Sequence, residues 1–258
     1  SLETLKSLMH NIPHAAVQTN NEGDAPIFTA LFHDNPCLDT ITLLVQTHPE
    51  ACMVPRSEDG NLALHTALER RLSPEIVSVI AHANQRANRH FNNDGKLPLH
   101  YACWQVAAIS TTLAVIDAYP EACTIHDSTY KNTPLHYAVQ YGVPVKVILS
   151  LLKISPKLIY EKNCDDALPI HLATKYGADI KVIEALLKDW PECLEEMDGK
   201  GATPVQLALE RKSGGGATGD VLRLLLHLRA EKSTEPIPSS EDGVDIFVGM
   251  SDFDRSAM

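Results

Sequence analysis

The sequence reads as an all-α solenoid, built of helix–turn–helix repeats stacked side by side and joined by short hairpin loops. Three features carry that expectation. An eight-residue phrase recurs six times: DAPIFTAL at 24–31, NLALHTAL at 61–68, KLPLHYAC at 96–103, NTPLHYAV at 132–139, ALPIHLAT at 167–174 and ATPVQLAL at 202–209. Its proline slot holds Pro26, Ala63, Pro98, Pro134, Pro169 and Pro204, at intervals of 37, 35, 36, 35 and 35 residues. A second phrase, apolar at helical spacing and closed by proline, runs in step with it: LLVQTHPEAC at 43–52, LAVIDAYPEAC at 113–123, ILSLLKISPKL at 148–158 and IEALLKDWPEC at 183–193. A fixed period of this length marks an array of like units.

Each unit follows from local chemistry. Thr133 and Thr203 are suited to the N-cap of a helix, where a hydroxyl accepts from a free backbone N–H. Pro134 and Pro204 then occupy the first helical position, where the missing N–H costs nothing. Leu62, Leu97 and Leu168 replace the threonine and have no hydroxyl, so those starts should be weaker by about 1 kcal/mol unless another group accepts. The first helix should end near Gly142 or Gly177. The second is marked by Val145, Val147, Ile148, Leu151 and Leu152, and by Ile180, Val182, Ile183, Leu186 and Leu187 at the matching slots. Pro156 and Pro191 close it. Turns rich in Asp, Asn and Gly follow, as at Asp59-Gly60 and Asp94-Gly95, and read as hairpins. IVSVIAHANQRAN at 76–88 fills one second-phrase slot without the proline.

These units divide the chain. An array covers 1–230, with a partial repeat at 1–19 and repeats starting near 20, 57, 92, 128, 163 and 198. LETLKSLMHNIPHAA at 2–16 is another copy of the second phrase, so the chain is expected to begin inside a repeat whose first half lies before Ser1. RKSGGGATG at 211–219 reads as a flexible insertion between the last two helices. The lysine and serine precede the glycines, the reverse of a phosphate-binding loop. Residues 231–258 hold seven acids and two bases and are expected to be a disordered acidic tail. Within it Ile246, Phe247, Val248, Met250 and Phe253 alternate with acids, as in a short motif that binds a partner or the protein's own groove.

Thr133-Pro134-Leu135-His136-Tyr137-Ala138 resembles the signature of the ankyrin repeat, with looser copies at Leu97–Ala102 and Leu168–Ala173. The likeness covers about 1–230. Three departures stand out: a longer period, Pro-Glu-Ala where a glycine usually follows the second helix, and Phe28 and Gln206 in place of histidine in the end repeats. The resemblance implies a non-catalytic scaffold or adaptor that binds another protein on a concave surface made of hairpin tips and the exposed ends of the first helices. It also implies a structural role for His65, His100, His136 and His171.

Geometry favours that role. Equivalent residues of stacked repeats lie roughly 8–10 Å apart, whereas two imidazoles sharing a zinc at about 2 Å each need nitrogens within about 4 Å. No metal or cofactor is therefore expected, and no catalytic motif stands out. Cys52, Cys123 and Cys193 share a repeated slot and read, with Cys103, as small buried apolar residues. Cys37 and Cys164 fall in loops. Six cysteines without a CxxC pair suggest a reducing, cytoplasmic or nuclear setting. The net charge of −11 argues against nucleic acid or an anionic membrane as partner. A monomer is expected. The partner-facing slots supply Arg70, Trp104, Gln105, Tyr130, Gln140, Tyr141, Lys175 and Tyr176, including residue types enriched in binding hot spots. The alternative is a targeting or regulatory module of a larger protein whose enzymatic or membrane domain precedes Ser1.

Overall fold

A computed structural model describes Ser7, residues 11–211 and residues 218–233. Among them are twelve α-helices and no β-strand. The first helices of successive pairs are α1 (Pro26–Phe32), α3 (Ala63–Glu69), α5 (Pro98–Trp104), α7 (Pro134–Tyr141), α9 (Pro169–Tyr176) and α11 (Pro204–Arg211). The second helices are α2 (Leu38–Thr47), α4 (Pro74–Ala83), α6 (Ile109–Ala118), α8 (Val145–Ile154), α10 (Ile180–Leu187) and α12 (Thr218–Ser233). First helices pack on first helices and second on second, giving two layers. One continuous apolar core runs between them from Ala25 to Leu225. No single helix pair could enclose that core, so stacking makes the fold.

The start and stop signals act where the phrases place them. Proline is the first residue of five of the six first helices. Gly142 and Gly177 end α7 and α9 in the left-handed conformation, at φ 71° and 72°. At the equivalent slots Arg71 and Val106 take the same conformation, at φ 53° and 51°, without glycine's freedom. The prolines after the second helices open 3₁₀ turns, as in Pro49–Met53, Pro120–Thr124, Pro156–Tyr160 and Pro191–Glu195. These turns carry Cys52, Cys123 and Cys193 into the core. Where the proline is absent, Asn84 and Asn88 hold the turn with side-chain amides that donate to the Pro49 and Ala81 carbonyls.

The capping expectation needs correction. Thr203 behaves as foreseen, accepting from the Gln206 N–H at 3.3 Å. The Thr133 hydroxyl instead lies 2.8 Å from His136 Nδ1. Where a histidine lies three residues on, it accepts from a different donor, the N–H of the N-cap residue itself. Its Nδ1 takes the N–H of Leu62, Leu97 and Leu168 at 3.3, 3.1 and 3.1 Å, and that of Thr133 at 3.1 Å. Leucine at this slot therefore leaves the N-cap N–H satisfied.

Hairpins precede the first helices and bond to one another. Asn93 N donates to Asp59 O, Ser128 N to Gly95 O, Cys164 N to Tyr130 O and Gly199 N to Asp165 O. Asn92 and Asn163 donate to the side chains of Asn61 and Asn132 one repeat back. Helix α12 runs through Ser233, three residues into the segment assigned to the tail. Residues 212–217 and 234–258, on which the glycine-run and tail expectations fall, lie outside the described residues. No helix among the described residues is long and apolar enough to cross a membrane.

Candidate functional site

The histidine column is committed to the backbone. Because Nδ1 accepts an N–H, the neutral ring must carry its proton on Nε2. From there His65 donates to Lys96 O, His100 to Ile125 O, His136 to Ala167 O and His171 to Glu196 O, at 2.9–3.1 Å. Each acceptor belongs to the next hairpin. Burial pushes the imidazoles of His65, His100 and His136 down to about 4, although the carbonyl bonds oppose the shift. Burial lowers His171 as well. A general base requires an open nitrogen, and these rings have none. Among the described residues, no three His, Cys, Asp or Glu side chains converge on a metal position.

The cysteines fall into the two expected groups. Cys52, Cys103, Cys123 and Cys193 are buried, and Cys37 and Cys164 are exposed. Burial pushes the Cys52 and Cys123 thiols up to about 12 and raises Cys103 further. These thiols stay protonated and inert at neutral pH.

An aromatic group forms where the hairpins meet the ends of the first helices. Lys96 is its centre, and sequence reasoning missed it. The residue is only 6% exposed, and its ammonium stands 5.0 Å from the Trp104 ring, 6.0 Å from Tyr130 and 5.9 Å from Tyr137. Such contacts stabilise a desolvated cation. The signal was legible: the slot two residues before the proline holds Asp24, Asn61, Asn132, Ala167 and Ala202 in the other repeats. Lys96 is the lone cation of that column.

Its frame is well fixed. Lys96 N donates to Asn92 Oδ1 at 2.9 Å, and its carbonyl takes the His65 proton. Tyr101 meets Trp104 edge-on at 5.2 Å, and Tyr137 stacks on Tyr141 at 6.2 Å. Tyr137 also donates to Asp127 Oδ2, a carboxylate that accepts the N–H groups of Thr129, Tyr130 and Asn132. Burial raises the Tyr137 phenol, which stays a donor.

The sequence candidates separate on this frame. Tyr130, Tyr141 and Tyr176 are 52%, 42% and 41% exposed. Lys175 is exposed, with its ammonium 5.5 Å from the Tyr176 ring. Trp104 is half-buried and packs against the core, so it walls the Lys96 site instead of standing free. Gln105 and Gln140 are also half-buried, and the Gln105 carbonyl accepts from Arg71. Arg70 stands 5.3 Å over Phe32, whose ring also faces Arg56.

Solved structures share this architecture. The ankyrin repeat domain of Bcl-3, described as a unique member of the IkappaB protein family, aligns with a TM-score of 0.66 and 18% identity, over 86% of this chain and 93% of that one. A chain from the complex of the predatory endopeptidase Bd0816 of Bdellovibrio bacteriovorus with immunity protein Bd3460 aligns with a TM-score of 0.61 and 20% identity, over 80% of this chain and 99% of that one. No protein-family model and no curated protein matches the sequence. The chain has the ankyrin-repeat fold.

Proposed function

We propose that this chain is a non-enzymatic binding module that holds another protein against its hairpin side, the concave face of the array. The observation that carries the reading is the exposure of Tyr130 and Tyr141 on the fourth repeat and Tyr176 on the fifth, with the Tyr130 ring 6.0 Å from the Lys96 ammonium. Large rings that remain exposed over a rigid frame lose little entropy on binding and are enriched in hot spots. Arg70, Lys175, Gln105 and Gln140 would form the rim, and Trp104 the wall. Solenoids use their extended face in this way, since neighbouring units present one continuous surface. One of the similar structures is itself a complex of two proteins. Six free cysteines fit a reducing cytoplasmic or nuclear setting.

The test is affinity capture with the full chain and with a Tyr130→Ser, Tyr141→Ser, Tyr176→Ser variant, read by mass spectrometry and checked by circular dichroism. A partner retained by the wild type and lost by the equally helical variant supports the reading. Equal retention by both removes the tyrosines from the interface.

A further inference from the structure

Lys96 is a nearly buried lysine with no ion pair and no side-chain acceptor among the described residues; three rings are what its ammonium meets. Asp127, the carboxylate that accepts from the Tyr137 hydroxyl, already serves three backbone N–H groups as well. An ammonium held among rings with no carboxylate on it suits an incoming carboxylate, because a hydrogen bond between two charged groups is stronger than one between neutral groups. The rings around it suit an apolar or aromatic residue beside that carboxylate. The site thus specifies an acidic residue flanked by apolar ones.

We infer that the occupant is the chain's own acidic segment, residues 241–254, docked in cis with one of its carboxylates on Lys96 and its apolar side chains against Trp104, Tyr130 and Tyr141. Three observations select it over a foreign acidic peptide. The first is chemistry: Glu241, Asp242, Asp245, Asp252 and Asp254 alternate with Ile246, Phe247, Val248, Met250 and Phe253. The second is reach. Second helices return toward the hairpin side, and α12 carries the chain that way to Ser233. From Ser233 to Asp245 the chain spans up to about 40 Å when extended. Three repeat spacings of roughly 10 Å separate the last repeat from the third. The third is charge. Outside residues 231–258 the chain still carries −6, so a free acidic protein is repelled at long range, while the tethered segment is present at millimolar effective concentration. The docked segment would cover these tyrosines, so a partner must displace it. The inference rests on the partner-binding reading of that side.

Zero-length carbodiimide coupling of the full-length protein tests it. An equal mixture of ¹⁴N and ¹⁵N chains is coupled at micromolar concentration, digested and analysed by mass spectrometry. The expected product joins Lys96 to an acid of 241–254 within one isotope. It disappears in the variant with Asp242, Asp245, Asp252 and Asp254 changed to Asn and Glu241 to Gln, which alters no residue of the array. With Trp190→Phe leaving Trp104 as sole tryptophan, that variant should also shift the Trp104 emission, and Lys96→Met should abolish the shift. No Lys96 linkage to the segment, or linkage only between chains of different isotope, overturns the inference. Either result leaves the partner reading standing, since capture is measured with a separate protein.

Discussion

The imidazole of His65 donates to the carbonyl of Lys96 at 3.1 Å, so a histidine of the second repeat fixes the backbone of the lysine at the centre of the aromatic group. The same ring accepts the Leu62 N–H at the start of its own helix. One side chain therefore closes a helix start and pins the next hairpin. Architecture and recognition meet at a single hydrogen bond.

Removing such a ring should cost both contacts. His136→Ala is expected to lower stability by roughly 1–3 kcal/mol, the cost of leaving buried partners unsatisfied. His136→Gln should cost less, because Gln206 already holds the slot in the sixth repeat, with its Oε1 2.8 Å from Thr203 N. Urea melts of the three proteins check the order. Equal midpoints for His136→Ala and wild type would refute the assignment.

The column also sets an acid limit. His65, His100 and His136 have folded values near 4, against about 6.5 in the unfolded chain. The unfolded state therefore binds more protons between these values, and stability rises with pH across that window. Stability should be full above about pH 6.5 and fall as pH drops toward 4, by up to about 1.4 kcal/mol per pH unit for each ring. Protonation would place a hydrogen on Nδ1, against the N–H it accepts. Thermal melts from pH 7 to pH 4 check the slope, which His136→Gln should make shallower.

Val106 is a β-branched residue at φ 51°, and its side chain is exposed. Left-handed backbone costs such a residue about 1–2 kcal/mol. Val106→Gly should stabilise the protein by about 1 kcal/mol after the added freedom of the unfolded chain is subtracted. Gly95→Ala should act in the opposite sense: at φ 71° its new Cβ would lie 1.9 Å from Ser128 Oγ in the next hairpin. Melting temperatures of the pair report the contrast.

Thr66 is fully buried, and its hydroxyl has no hydrogen-bond partner among the described residues. Burying an unpaired hydroxyl costs about 1–3 kcal/mol. Thr66→Val keeps the shape and removes the group, so it should raise stability by about 1 kcal/mol. A guanidinium melt with unchanged slope and a higher midpoint is the expected result.

The array was legible because each copy repeats the same local chemistry. Proline, glycine and the apolar spacing each act within a few residues, and six copies make the period plain. The caps were read less well. Thr133 suggested a hydroxyl accepting from the first turn, yet that hydroxyl lies against His136 Nδ1, whose ring is oriented by its bond to Ala167 O, 31 residues away. The interface candidates divided for a similar reason. Tyr130 and Tyr141 are exposed as their slots suggested, but Trp104 turns toward Tyr101 and Lys96. Lys96 itself was overlooked because it lies in a slot that is structural in every other repeat.

The hairpin bonds have a mechanical consequence. From the second repeat to the sixth, each unit is fastened to the next by one imidazole, one backbone bond between hairpin tips and the packed helix faces. The fastenings run from each unit to its immediate neighbour, so tension applied to the two ends is shared in series. A pulled chain should then pay out in steps of one unit, about 120 Å of contour for 35 residues. It should rewind the same way, as a ratchet whose tooth is a single histidine.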